Sequence, residues 1–210
     1  GGEKVQRVAT IGRCTEPVPV NGTSQGFPGL PPEQITDARL VEGKSADGLS
    51  ATFRLCWDNE NLHVLVNVID PTPMQNAQTG VNLWRGDGVE LFLGTEEFDR
   101  PGALLFSDRQ VLLSAAQVDG KPQWHYRNAP QQYDLKMVVV PATDGKGYTL
   151  QAAIPFAALG FKPKEGMQLL FDIAIDNSAD GKNRRCQLMW NGTAKNSGDR
   201  AHWGRARLVP

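Results

Sequence analysis

The chain has 210 residues, with 22 Lys and Arg against 23 Asp and Glu and a formal net charge of −1. That length favours one sizeable domain, and the dispersed, balanced charge offers no basic tract for nucleic acid or an anionic membrane. No apolar run approaches the roughly 20 residues that a spanning helix needs. No signal peptide is visible, but the Gly1-Gly2 start reads as a trimmed or mature end, so the compartment stays open.

In chain order, residues 1–17 are polar and irregular apart from Val8–Ile11, which reads as an edge strand. From Val18 to Pro32 the sequence VPVNGTSQGFPGLPP is too rich in Pro and Gly for a helix and reads as an extended segment wrapping the domain 18–210. Ala51, Phe53, Leu55 and Trp57 alternate on one face. After the four-residue connection Asp58-Asn59-Glu60-Asn61, the residues Leu62, Val64, Val66 and Val68 continue that face. A long turn-rich connection carries Trp84 and Asp87 into a second alternating run, in which Val89, Leu91 and Leu93 point one way and Glu90 and Phe92 the other.

Further strands are predicted at Ala103–Phe106, Gln110–Ala115 and Gln123–Tyr126, with Asp119-Gly120 turning between the last two. Leu135, Met137 and Val139 alternate, and Asp144-Gly145 turns the chain into Tyr148, Leu150, Ala152 and Ile154. Pro155–Leu159 can form about one helical turn, started by Pro and closed by Gly160. Leu169, Phe171, Ile173 and Ile175 make the next strand, with Leu170, Asp172 and Ala174 on its reverse. Cys186, Leu188 and Trp190 follow, then a loop of small polar residues and a last strand, Trp203–Val209. The 14 Pro and 22 Gly, scattered through turns, suit many short strands. The fold class is therefore all-β: an antiparallel two-sheet β-sandwich, jelly-roll-like, with roughly ten strands and one short helical turn. Its single core is expected to contain Phe53, Leu55, Val64, Val66, Val89, Leu91, Phe171 and Ile173.

The aromatic residues are the strongest functional signal. Trp84 and Trp124 lie in or near loops, while Trp57, Trp190 and Trp203 lie at strand ends; of these, Trp57 and Trp203 alternate with apolar neighbours as core residues do. A sugar presents C–H faces that stack on indole, and its hydroxyls need carboxylates, amides and guanidinium groups. Catalysis finds little support, because His63, His125 and His202 are scattered and no nucleophile elbow accompanies them. Asp87 and Glu90, three apart on a strand, face opposite ways and make a poor acid–base pair. Cys14, Cys56 and Cys186 show no CxxC pairing, which disfavours a structural zinc site; one disulfide with a leftover thiol is compatible with them. Asp176, Ser178 and Asp180 place oxygens at alternate positions before Gly181, as calcium loops do. Gln187 stands where such a loop has its final Glu, and a hairpin turn explains Asp-Gly equally well.

The run Trp84-Arg85-Gly86-Asp87-Gly88-Val89-Glu90-Leu91-Phe92 resembles the Trp-x-x-Asp-x-Val-Glu signature of family 9 carbohydrate-binding modules and their DOMON-like sandwich relatives. Leu55-Cys56-Trp57-Asp58 through Val64 resembles the family's hairpin, Ala153-Ile154-Pro155-Phe156 through Gly160, followed by Gly166, its late strand–short helix–strand, and Trp203-Gly204 its closing Phe-Gly. The resemblance implies a non-catalytic module that recognises a sugar or polysaccharide beside a glycan-active protein, in an extracellular or periplasmic setting. It implies a sugar-binding set of Trp84, Arg85, Asp87, Glu90 and Asn196, with no required cofactor and a structural calcium as an option at Asp176, Ser178 and Asp180. Sugar-binding members place a second Trp in the loop before the last strand, and residues 191–200, NGTAKNSGDR, carry no aromatic. Two alternatives remain: a b-type haem electron-transfer domain of the same superfamily, using Met189 or Met137 as an axial ligand with His or Lys, or a docking module with no small ligand. The charge balance predicts that the chain produces no salt-sensitive, submicromolar gel shift of DNA or RNA at physiological salt.

Overall fold

A computed structural model describes residues 6–44 and 48–210; the Gly1-Gly2 start lies outside the described residues. In chain order the strands are β1 (Val8–Arg13), β2 (Glu33–Ile35), β3 (Leu40–Gly43), β4 (Ser50–Trp57) and β5 (Asn61–Ile69). They continue with β6 (Gly88–Gly94), β7 (Arg109–Val118), β8 (Lys121–Arg127), β9 (Lys136–Pro141) and β10 (Tyr148–Pro155). After a single helical turn, α1 (Phe156–Leu159), come β11 (Gln168–Ser178), β12 (Arg184–Met189) and β13 (Gly204–Leu208). Short 3-10 turns occupy Asp37–Arg39 and Gly80–Arg85.

One sheet runs β8-β7-β6-β11-β13, with β12 pairing farther along β11 and β3 pairing β12; the other runs β4-β5-β10-β9, with β2 on the free edge of β4. We call these sheets A and B. The first strand joins them: Val8–Ile11 pairs parallel with Arg205–Leu208 of β13, and Gly12–Arg13 pairs parallel with Cys56–Trp57 of β4. Val8–Ile11 is therefore the interior seam of the sandwich and not an edge strand. The remaining sheet pairs are antiparallel.

The alternation read from the sequence builds the layer between the sheets. All eight expected core residues are buried in the main cluster, which also takes in Trp57 and Trp190. Trp203 belongs instead to a smaller cluster on the outer face of sheet A with Phe92, Leu170, Ala174 and Met189. A third cluster, Phe27, Cys56 and Leu65, lies on the outer face of sheet B, where the wrapping segment crosses it. The helical turn ends as expected, at Gly160 in the left-handed conformation (φ 85°), whose N–H returns to Phe156 O at 2.9 Å.

Two differences from expectation have physical causes. The strand count is thirteen among the described residues, because β2 and β3 are too short to show a period. Ala103–Phe106 forms no strand, and Phe106 is 80 % exposed. Its backbone is satisfied by side chains instead: Leu105 N–H donates to Asp108 Oδ2 at 2.7 Å, and Asn128 Nδ2 donates to Leu105 O at 2.7 Å. A short apolar run alone does not separate strand from anchored loop. The buried guanidinium of Arg200 holds this loop to the one before β13, donating to Asp108 Oδ2 at 2.9 Å and to Arg100 O at 3.0 Å.

If β1 is the seam, its inward side chains carry stability. Ile11, fully buried, should cost about 2–5 kcal/mol on truncation to Ala. Val8→Ala, at a position 61 % exposed, should stay within about 0.5 kcal/mol. Urea unfolding of the two variants, compared by midpoint at constant slope, checks this.

Candidate functional site

The outward row of sheet A furnishes a shallow hollow. On β6, Glu90 and Phe92 point out of the sandwich while Val89, Leu91 and Leu93 point in. Across the sheet Glu90 sits opposite Leu112 of β7 on one side and Ala174 of β11 on the other, and Ala174 in turn faces Met189 of β12. A cavity of about 110 Å³ opens beside Glu90, lined also by Trp84, Arg184, Ala194, Asn196 and Ser197.

Trp84 is delivered by a pinned connection. Leu83 is buried beneath the 3-10 turn, while Trp84 stays half-buried at the rim. Asn76 Nδ2 donates to Leu83 O at 2.8 Å and to Asp87 O at 3.2 Å, closing the connection on itself. A Cβ on Gly86 would fall 2.1 Å from the Asn76 side chain, so that position accepts only glycine without rearrangement. The connection is also tied to the β11–β12 turn, through Ala77 N–H to Gly181 O at 2.8 Å and Gln75 Nε2 to Ala179 O at 2.9 Å.

The floor is a closed set of charge-assisted hydrogen bonds. Gln110 Nε2 donates to Glu90 Oε1 at 2.6 Å, and Arg127 Nη1 donates to Gln110 Oε1 at 2.9 Å. Gln187 Nε2 donates to Glu90 Oε2 at 2.8 Å and to Asp176 Oδ1 at 3.0 Å. Arg184 Nη1 reaches Asp176 Oδ1 at 3.1 Å and Glu90 Oε2 at 3.4 Å, while its Nη2 pairs with Glu42. The Arg184 guanidinium also lies 4.8 Å from the Trp84 ring centroid, within cation–π range. With its amide nitrogen committed to two carboxylates, Gln187 turns Oε1 elsewhere. That oxygen is buried with no hydrogen-bond partner among the described residues.

The residues expected to form the site separate into three groups. Trp84, Glu90 and Asn196, 112 positions apart at the extremes, line the same hollow. The Asn196 amide, however, is already engaged: Nδ2 donates to Asp172 Oδ2 at 2.9 Å and Oδ1 accepts from Thr193 N–H at 3.0 Å. Its place is that of a loop organiser whose body walls the hollow. Arg85 is exposed and lies 5.1 Å from the Trp84 centroid, outside the lining. Asp87 is fully buried and turned away, accepting Gln75 N–H at 2.8 Å and Ser178 N–H at 2.7 Å.

None of Asp176, Ser178 and Asp180 is free of a protein partner: Ser178 Oγ donates to Asn183 O at 2.8 Å and lies 3.3 Å from Asp180 Oδ1. Asp176 is held by Arg184 and Gln187, and exposed Asp180 accepts Lys182 and Asn183 N–H at 2.8 Å each, which is the geometry of a hairpin turn. Nor does the hollow offer an axial pair for haem: Met189 Sδ accepts from Asn196 Nδ2 at 3.3 Å, and the lining contains no His or Lys. Met137 is packed in the core between the sheets. The polar residues missed from sequence, Gln110, Arg127, Arg184 and Gln187, have one readable signal. Gln187 alternates with the buried run Cys186, Leu188 and Trp190 and so faces outward beside Met189.

The family described as "Carbohydrate family 9 binding domain-like" matches residues 31–210. Endo-1,4-beta-xylanase A of Thermotoga neapolitana is 27 % identical over 179 residues, 84 % of this chain and 16 % of that enzyme. Endo-1,4-beta-xylanase C of Paenibacillus barcinonensis is 26 % identical over 78 % of this chain and 14 % of its own length. The chain thus spans only a small part of the curated relatives it matches. A family 9 carbohydrate-binding module of Caldicellulosiruptor kristjanssonii, solved with glucose, superposes with a TM-score of 0.72 at 19 % identity, over 96 % of this chain and 95 % of that one. That likeness is one of fold.

Behind the hollow lies a group of buried acids. Burial pushes Asp87 up to about 7, against the pull of its two backbone N–H donors, and the Asp70 charge adds to the rise. Burial likewise pushes Asp172 up to about 6, opposed by Asn196 and by the N–H groups of Asn191, Ile173 and Gly192. Asp176 is raised by burial and by Glu90, against Arg184. A carboxyl whose folded pKa lies above its unfolded value binds more protons when folded, so it opposes stability above that pKa and ceases to do so as the pH falls. The melting temperature should therefore rise as pH is lowered from 8 towards 5, a trend that a scanning-calorimetry series across that window reads directly.

Proposed function

The chain belongs to the carbohydrate family 9 binding domain-like family, and we propose that it binds one sugar ring in the hollow on the outer face of sheet A. It is a non-catalytic carbohydrate-binding module. In this reading Trp84 stacks on the C–H face of the ring. Glu90 accepts from one or two hydroxyls. Arg184 and Arg127, already aligned by carboxylate and amide partners, donate to ring or hydroxyl oxygens at the rim.

The observation that carries the proposal is the convergence of half-buried Trp84 with Glu90, Arg127 and Arg184 on one hollow, whose lining residue Gln187 also holds a buried Oε1 with no hydrogen-bond partner among the described residues. Buried polar atoms in folded proteins are almost always paired, and a sugar hydroxyl is a donor of the right kind. The ligand class we propose is a gluco-configured sugar or β-glucan end. The support is the fold shared with modules solved with glucose and with cellotriose, at TM-scores of 0.72 and 0.66. We further propose that the chain works outside the cell or in the periplasm beside a polysaccharide-degrading domain, as its likeness to parts of two endo-xylanases supports.

The loop residues that line the hollow, Ala194, Asn196 and Ser197, include no aromatic, and Phe92 of the lining is only 1 % exposed, so Trp84 is the one accessible platform. The missing platform removes about 1–3 kcal/mol of stacking, by analogy with bases on aromatics, so affinity is expected to be modest.

Isothermal titration with glucose and cellotriose tests the proposal. Trp84→Ala should abolish binding with a melting temperature nearly unchanged, because a rim indole contributes little to the core. Glu90→Gln should weaken binding without abolishing it, a charged acceptor being worth more than a neutral one. Gln187→Met should weaken binding and also lower the melting temperature, since it removes the Nε2 donor to Glu90 and Asp176 together with the unpartnered oxygen. Unchanged binding in Trp84→Ala, or its unfolding, sinks the site and favours the docking-module reading.

A further inference from the structure

On the opposite side of the molecule, where the wrapping segment crosses the outer face of sheet B, two thiols are brought together that the sequence keeps 42 positions apart. Cys14 follows directly on β1, and its N–H donates to Trp57 O at 2.9 Å, extending the β1–β4 pairing by one residue. Cys56, on β4, is fully buried and points away from the inter-sheet core, beneath Phe27. The two sulfurs lie 2.8 Å apart, and Cys14 is half-buried, within reach of solvent.

Beside them, His63 sits across the strand pair from Cys56 and is held at 2.8 Å by Asp58 Oδ2. Ligand atoms of Cys14, Asp58 and His63 all fall within 4.8 Å of one another. Asp58 is itself fixed by the N–H groups of Glu60 and Asn61, at 2.9 and 2.7 Å.

We propose that Cys14 and Cys56 are joined by a disulfide that fastens the wrapping segment to sheet B. The cluster also holds soft-metal donors, but two thiolates on one tetrahedral zinc, with Zn–S near 2.3 Å, stand roughly 3.7 Å apart, whereas these sulfurs touch. The chemistry balances with a disulfide-bearing oxidant. The Cys14 thiol loses its proton to a base, for which His63 is in place, and the thiolate attacks one sulfur of the oxidant. This forms a mixed disulfide and releases the first thiolate. The Cys56 sulfur, losing its own proton, then attacks Cys14 Sγ and expels the second. Two protons and two electrons leave the chain, and the oxidant's disulfide becomes two thiols. The roles follow from exposure: Cys14 meets the oxidant and Cys56 resolves.

The test is peptide mapping of the full chain, alkylated without reduction after incubation with oxidised glutathione, with intact mass and zinc content measured on the same sample. The expected result is a peptide pair linking Cys14 to Cys56, a mass lower by two hydrogens, and no stoichiometric zinc. The melting temperature should fall by about 5–10 °C on reduction. Cys14→Ser, chosen because its site is only half-buried, should melt at the temperature of the reduced wild type and show no response to reductant. Cys56→Ala, tested beside it, should do the same. Two alkylated thiols at Cys14 and Cys56 in the oxidised sample, a link to Cys186 instead, or one zinc per chain removed by a chelator with release of both thiols would each overturn the proposal.

Discussion

The Asp87 carboxylate is the joint on which the functional half of this protein depends. One oxygen takes the N–H of Gln75 at the start of the Trp84 connection and the other the N–H of Ser178 at the end of β11. The connection, which runs directly into β6, and the end of β11, far away in sequence, are thereby fixed to one buried group. Its charge is costly to bury, and burial drives its pKa up to about 7. Two well-directed N–H donors offset that cost, as buried carboxylates require. Without this joint Trp84 would sit on a long connection between strands, the kind of segment that normally wanders.

From that joint the two faces of sheet A diverge in character. Inward residues of β6 and β11 are aliphatic or aromatic and pack against sheet B. Outward residues include Glu90, Asp172 and Asp176, buried not by the sandwich but by what lies over it. Each has a specific neutralising partner: Arg184 and Gln187 for Glu90 and Asp176, and Asn196 with three backbone N–H groups for Asp172. Such a network is worth keeping only when nearly complete, since a half-satisfied one is worse than an apolar surface. Its one open valence is Gln187 Oε1, on a residue that lines the hollow.

The seam made by β1 shows a different economy. A parallel strand inserted between β13 and β4 converts two sheet edges into interior pairs, and paired edges cannot recruit other chains. The matched family span begins at residue 31, so this closure is contributed by residues outside that span. The Cys14–Cys56 contact sits at the end of the same seam.

The sequence by itself determined the fold class, the single inter-sheet core and most strands, because period-two alternation is a local property that each strand expresses within a few residues. Phe53, Leu55, Val89 and Phe171 could be assigned inward from their immediate neighbours alone. It also pointed to Trp84 and Glu90, through the resemblance carried by the residues around them. What only the tertiary structure decided was which polar groups meet. Whether the Asp87 carboxylate faces a ligand or a backbone N–H, and whether Asn196 is free or committed to Asp172, depends on residues 12 to 91 positions away from Asp87 and 24 away from Asn196. The same holds for β1, whose short run looks like an edge until its two partners close around it, and for Cys14 and Cys56, which share no local motif. Alternation is written along one strand, whereas hydrogen-bond and sulfur partners are set by how strands far apart in the chain are ordered in the sheet.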